Sequence, residues 1–244
     1  MNFDYGGSTL TVSPEARRDA TNGSGLIGPA HRDLRLLVVD DHPAVQTGLK
    51  HLLDDQPDFE VVATRSTGES AVALAEQDDV DVAIVDYHLG GRNGLWVSRM
   101  LKRLPRPPRV IIFSAFANDH LAANCVVAGA DALLSKGSLG SELCDTVRSV
   151  AHGRRLLSRV PQPMADMLRR RLDGVDQSIF GMLLAGISPA EIEQTLRISA
   201  DELKSREVAM LSKLERLPGE QADYGGGRID PDRRLAPRFS RGPR

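Results

Sequence analysis

The stretch Leu36-Leu37-Val38-Val39-Asp40-Asp41-His42-Pro43 runs without a break from four branched aliphatics to two carboxylates and then to a proline suited to a helix start. Continuous rather than alternating hydrophobicity is what a strand covered on both faces needs. The same design recurs outward from it. Val61-Val62-Ala63, Val82-Ala83-Ile84-Val85, Val110-Ile111-Ile112-Phe113 and Ala132-Leu133-Leu134 are short runs, each bounded by charge or turn residues. The segments between them have helical spacing. Val45, Leu49, Leu52 and Leu53 form one stripe, Val97, Leu101 and Leu104 a second, and Leu143, Val147 and Val150 a third that Gly153 can stop. Five β-α units over residues 34–153 predict an α/β fold, a doubly wound five-stranded parallel sheet.

The whole chain has 244 residues, too few for a large multidomain enzyme. Hydrophobic residues make up 41% and charged residues 26%, enough for a packed core. Thirty-one Lys plus Arg against 33 Asp plus Glu leave a net charge of -2, so no global basic field draws the chain to nucleic acid or membrane. Any nucleic-acid contact must be local. Cys125 and Cys144 are too few for a disulfide framework and suit a reducing cytosol, so a cytoplasmic protein is expected. No apolar run approaches the ~20 residues of a membrane span, and Met1 to Tyr5 do not begin a signal peptide. Residues 1–33, rich in Gly, Ser, Thr, Asn and Asp, are expected to be a disordered arm. Residues 218–244 are expected to form a second flexible tail, with four prolines and five arginines from Arg233 onward.

Beyond Gly153 the pattern turns helical. Residues 154–171, with Pro161 and Pro163, read as a linker leading into a helix, and residues 172–217 as a compact helical unit. Ser188-Pro189-Ala190-Glu191 and Ser199-Ala200-Asp201-Glu202 are capping boxes, and their separation is that of a helix-turn-helix.

In a parallel sheet of this kind, ligands bind at the carboxyl ends of the strands. Asp40 and Asp41 end the first strand and Asp86 the third, so three carboxylates can converge on one hard cation, for which Mg²⁺ is the natural choice. Ser114 and Lys136 end the fourth and fifth strands and bring a hydroxyl and a cation to the same mouth. That combination suits a phosphoryl group. His42 and His88 lie nearby, but two soft ligands are too few for zinc. Cys125 and Cys144 fall on predicted helices and read as core. No other nucleophile-base constellation is present, and the chain is not read as an enzyme.

Through Val38-Val39-Asp40-Asp41-His42-Pro43, Ile84-Val85-Asp86, Ser114-Ala115 and Lys136-Gly137, residues 34–155 resemble the receiver domain of bacterial two-component response regulators. The resemblance implies a flavodoxin-like sheet. It implies that Asp86 accepts a phosphoryl group from a histidine kinase, and that Asp41, Asp86 and the main-chain carbonyl of His88 bind Mg²⁺, with Asp40 acting mainly through water. It further implies that Lys136 pairs with a phosphoryl oxygen and that Ser114 moves to bond another. Two positions depart from the family. Leu133 stands where a switch Tyr or Phe is usual, and Gly90 replaces a common proline and adds backbone freedom.

Residues 172–214 resemble the LuxR-type helix-turn-helix of the NarL/FixJ subfamily. The match runs through Leu172, Gly186, Ser188, Glu191-Ile192, Leu196, Ile198-Ser199, Leu203-Lys204, Met210 and Lys213-Leu214. The resemblance implies transcription regulation by a protein that dimerises when phosphorylated and reads DNA with the helix from about Ala200 to Leu214. Lys204, Ser205 and Arg206 are the implied contacts. Against this, residues 171–217 carry six basic residues and eight acids, with Asp201, Glu202 and Glu207 on that helix itself, and Val175-Asp176 stands where Arg-Glu is common. The alternative expectation is a helical output unit that docks a partner protein and does not bind DNA.

Overall fold

A computed structural model describes residues 32–138 and 140–215. The arms expected at residues 1–33 and 218–244 lie outside these, apart from residues 32 and 33, as do residues 216 and 217 of the helical unit. Five strands, β1 (Leu34–Val39), β2 (Phe59–Arg65), β3 (Val82–Asp86), β4 (Arg109–Ser114) and β5 (Ala132–Ser135), form one parallel sheet in the order β2-β1-β3-β4-β5. The helices α1 (Pro43–Asp54), α2 (Gly68–Ala75), α3 (Gly94–Leu101), α4 (Asp119–Val127) and α5 (Gly140–Ala151) alternate with them.

Strand periodicity divides the core into two layers. Leu36, Val38, Val82, Ile84, Ile111 and Phe113 pack with Leu49 and Leu53 of α1 and Leu143, Val147 and Val150 of α5. The alternate residues Leu37, Val39, Ala83, Val85, Val110 and Ile112 face Ala71 of α2, Leu95, Val97 and Leu101 of α3 and the apolar side of α4. The continuous apolar runs are therefore explained, since every second residue serves a different layer. Gly153 stops α5 with φ +86°, and Leu156 then bridges back to Ala132 beside β5.

Four helices follow: α6 (Gln162–Arg169), α7 (Gly174–Leu184), α8 (Pro189–Leu196) and α9 (Ala200–Leu214). Ser188 makes a reciprocal capping box with Glu191 at the start of α8. At the start of α9 the Ser199 side chain accepts the Glu202 N–H, but the Glu202 carboxylate pairs with Arg206 instead. The turn between α8 and α9 places Arg197 at φ 53°. These helices share one apolar cluster with the second layer of the sheet domain, because Leu168, Leu172, Ile179, Phe180, Leu183, Ile192, Leu203, Met210, Leu211 and Leu214 are all buried and continuous with α3 and α4. Every residue of α4 from His120 to Val127 is buried, with the sheet on one side and the helical unit on the other. A fully buried side chain the size of Phe180 contributes about 1.5–3 kcal/mol.

Candidate phosphoryl-acceptor site and the docked output helix

The strand order reverses between β1 and β3, and the carboxylates leave the sheet at that point. Asp86 closes β3 and is 4% exposed, and Asp40 directly follows β1 and is 1% exposed. Gly94 sets the entry to α3, because a Cβ there would overlap the Asp86 carbonyl oxygen. One ligand atom from each of Asp40, Asp41, His42 and Asp86 falls within 4.8 Å of the others. The Asp40 Oδ1 accepts the His42 main-chain N–H at 2.9 Å. Lys136 reaches both buried acids, with Nζ at 2.7 Å from Asp40 Oδ2 and 2.8 Å from Asp86 Oδ2.

One ammonium thus serves two carboxylates. Burial pushes the Asp86 carboxyl above its ordinary value. The Lys136 hydrogen bond and charge and the His88 main-chain N–H act in the opposite direction, and the Asp40 charge adds to the rise. Burial works against the Lys136 ammonium, but its hydrogen bonds to Asp40 and Asp86 outweigh this and hold it above the ordinary lysine range. The Asp41 Oδ1 is buried and accepts no hydrogen bond, although His42 Nδ1 stands 2.7 Å away. An all-oxygen set of three carboxylates with unused lone pairs fits a hard divalent cation.

Ser114 closes β4 and is fully buried; its Oγ accepts the Phe116 N–H at 3.1 Å and its carbonyl accepts the Lys136 N–H at 2.8 Å. The His88 ring meets Tyr87 edge-on at 4.6 Å between centroids and Phe116 at 6.4 Å. Phe116 is 58% exposed. Asp40, Asp41, Asp86 and Lys136 are therefore gathered in one place, with His88 and Ser114 on its walls. Cys125 and Cys144 are both buried, and burial pushes the Cys125 thiol out of the range where a thiolate forms.

Comparison with known proteins places this geometry. The response regulator receiver domain matches residues 36–148. The nitrate/nitrite response regulator protein NarP of Escherichia coli (strain K12) is 30% identical over 198 residues, which cover 76% of this chain and 91% of NarP. The chain belongs to the response regulators. Transcriptional regulatory protein LiaR of Bacillus subtilis (strain 168) is 29% identical over 192 residues, 75% of this response regulator and 91% of LiaR. Among solved structures, a LuxR-family two-component response regulator from Aurantimonas sp. SI85-9A1 aligns with TM-score 0.50 at 27% identity, covering 55% of this chain and 97% of that one. The RcsB–DNA complex aligns with TM-score 0.50 over 77% of this chain and 94% of RcsB. At 17% identity it speaks for the fold alone.

The three residues expected to touch DNA lie on α9 in different circumstances. The Lys204 side chain is about half exposed and lies 3.8 Å from Asp201, while its carbonyl accepts Arg99 Nη2 of α3 at 2.8 Å. Ser205 Oγ donates to the Asp201 carbonyl. Arg206 is bound at both ends of its guanidinium, to the buried Asp176 at 3.0 Å and to Glu202 at 3.1 Å. Lys213 also reaches Asp176, at 3.3 Å. Asp176 therefore ties α7 to α9 and uses Arg206 for that purpose.

Sequence reasoning missed the contacts that dock α9 on the receiver. Arg99, 6% exposed, places Nη1 3.5 Å from the Glu207 carboxylate. The His120 Nε2 of α4 lies 2.6 Å from the Leu214 carbonyl, and Asn93, the N-cap of α3, donates to Glu215 at 3.1 Å. One signal was available. Segment 121–127 is apolar on every side except at Asn124, which marks a helix covered on two sides.

Proposed function

We propose that this response regulator receives a phosphoryl group on Asp86 from a histidine kinase and converts it into release of α9 for DNA. The observation that carries the reading is the Asp86 carboxylate, buried at the end of the central strand, 2.8 Å from Lys136 and within 4.8 Å of Asp40 and Asp41. In the transfer, an Asp86 oxygen attacks phosphorus. The new P–O bond forms as the P–N bond of the phosphohistidine breaks, and the imidazole leaves with the electron pair. Lys136 holds charge on the phosphoryl oxygens. Asp41, Asp86 and the His88 carbonyl would hold Mg²⁺, with Asp40 behind them. When bound, the ion neutralises charge on the transferring group and offsets repulsion among the three acids. Ser114 would leave the Phe116 N–H to bond a phosphoryl oxygen, and a contact made only in the phosphorylated state biases a two-state arrangement of the β4–α4 loop and α4.

The name of a relative supports a transcriptional output, LiaR being called a transcriptional regulatory protein. On α9, Lys204 and Ser205 are the contacts the geometry leaves available, while Arg206 is drawn toward Asp176. Dimerisation on phosphorylation and a cytoplasmic location complete the reading. A second reading, a helical unit that docks protein and never DNA, is favoured by one observation. The charges that distinguish α9 all have intramolecular partners: Arg206 with Asp176, Glu202 with Arg206, and Glu207 with Arg99.

The deciding experiment is selection of genomic DNA fragments by the full chain at near-physiological salt, with and without Mg²⁺ and beryllofluoride. A shared sequence enriched more strongly with the mimic supports the first reading. Folded protein that enriches nothing in either state supports the second.

A further inference from the structure

Behind the docked helix lies a cleft of about 340 Å³ between the receiver and the helical unit. Val126 and Val127 of α4 form its receiver wall, and Leu183, Ile187 and Leu203 form the opposite wall. Cations line this apolar interior, namely Arg99, Lys102 and Arg103 from α3 and the segment after it, Lys204 from α9 and Arg155 from beyond α5. The acids that line it are Asp131, Glu193 and Glu207. Asp131 is fully engaged by Lys102 at its Oδ2 and Arg109 at its Oδ1. Glu207 is the only carboxylate within ion-pair distance of Arg99 among the described residues, at 3.5 Å.

Arg99 is more than nine-tenths buried, and its Nη1 has no hydrogen-bond partner. An unmatched guanidinium N–H in a buried place costs free energy that an incoming anion can recover. The cleft is at the small end of the size range of ligand sites, mostly apolar with a few convergent polar groups, and sits at a domain interface where such sites are common.

We propose that this cleft binds a small amphipathic anion, with its acidic group on Arg99 Nη1 and Arg103 and its short apolar body between Val126–Val127 and Leu183–Ile187–Leu203. The site is separate from the Asp86 cluster, and the proposal stands whether or not α9 reads DNA. Because its two walls belong to different parts of the chain, the ligand stabilises the docked arrangement and slows exposure of α9 by linkage.

The test uses the full chain with octanoate as the probe, octanol as its uncharged counterpart and inorganic phosphate as a charge without an apolar body. Titration calorimetry is expected to give one saturable octanoate site, with octanol and phosphate each at least about tenfold weaker. Hydrogen exchange in α9 should slow as octanoate is added. Arg103→Glu, at an exposed position that does not threaten folding, should weaken octanoate about tenfold, and Ile187→Trp should abolish binding by filling the cleft. The proposal is overturned by absence of saturable binding, by equal affinity for octanol or phosphate, by octanoate binding that Arg103→Glu leaves unchanged, or by binding without slower exchange in α9.

Discussion

Arg99 of α3 grips α9 at two points one turn apart, donating from Nη2 to the Lys204 carbonyl at 2.8 Å and facing the Glu207 carboxylate with Nη1 at 3.5 Å. An acid that seemed only to repel DNA is therefore the receiver's handle on the output helix. Both partners are short of compensation. Burial lowers the Arg99 pKa despite Glu207, and burial raises the Glu207 pKa despite Arg99, Arg103 and Lys204, with Glu193 adding to the rise. Desolvation outweighs attraction on both sides of the pair.

That balance predicts opposite signs for single and double substitutions. Arg99→Ala removes the donor to the Lys204 carbonyl and leaves Glu207 buried without its cation, and should weaken docking by about 3 kcal/mol. Arg99→Met with Glu207→Met removes both desolvation costs and should strengthen docking by about 1–2 kcal/mol. Hydrogen exchange of α9 and α4 in the two variants reads the difference. Equal weakening in both would show that the pair is net attractive.

The same pair sets a pH dependence. A carboxyl whose folded pKa lies above its unfolded value binds more protons in the folded state, so its contribution is fullest below the unfolded pKa. It is lost as pH rises through the folded value. Docking should therefore loosen as pH rises from about 4.5 through the raised Glu207 value, and Glu207→Gln should flatten that slope. Thermal melts of wild type and variant across that range measure it. A slope that persists undiminished in Glu207→Gln assigns the titration to another group.

In the Asp86 cluster, Lys136 pairs with two buried acids. Lys136→Met should cost about 3 kcal/mol, toward the low end for a broken buried pair because the lysine side chain is 21% exposed. Asp86→Asn should raise the melting temperature in metal-free buffer, since it removes a buried charge from beside Asp40 and Asp41, while abolishing uptake of phosphoryl groups. Mg²⁺ should then stabilise wild type more than Asp86→Asn. Equal stabilisation by Mg²⁺ would remove Asp86 from the metal site.

The sheet was legible because its signal is local. Each apolar run is bounded by its own turn chemistry, and Asp40, Asp86, Ser114 and Lys136 are fixed to strand ends by adjacency in sequence. Capping was equally legible at Ser188, where both halves of the box form, and half legible at Ser199, where Arg206 takes the Glu202 carboxylate. The docked interface was not. Arg99 with Glu207, and His120 with Leu214, are separated by about a hundred residues, and no local pattern encodes which distant surface a charged helix meets. Asp176 shows the same limit. In the sequence it stood out only as part of Val175-Asp176 where Arg-Glu is common, yet its carboxylate anchors Arg206 and Lys213.

Asp176 also separates two residues that a DNA-binding assay alone would merge. Arg206→Ala breaks a tie to a buried acid and should lower the melting temperature of the helical unit along with any affinity for DNA. Lys204→Ala, at a half-exposed side chain, should lower DNA affinity and leave stability unchanged within about 0.5 kcal/mol. If Arg206→Ala melts like wild type, its pairing with Asp176 is not what holds α7 to α9.

On the proposed reading, release of α9 runs through α4, whose His120 lies 2.6 Å from the Leu214 carbonyl at the far end of the output helix. The β4–α4 loop begins at Ser114, so on that reading movement of that hydroxyl toward a phosphoryl group would displace the helix carrying His120. Because α4 is packed on two sides, it cannot shift without disturbing the helical unit. With Leu133 in the place of the usual aromatic, we propose this contact as the route from site to output. Beryllofluoride with Mg²⁺ should therefore speed hydrogen exchange in α4 and α9 together, and raise the apparent mass in solution as the freed surface pairs. Asp86→Ala should respond to neither. His120→Ala should show fast exchange at the end of α9 before any mimic is added. If α9 stays protected in His120→Ala and opens normally with the mimic, the coupling runs through Arg99 and α3 instead.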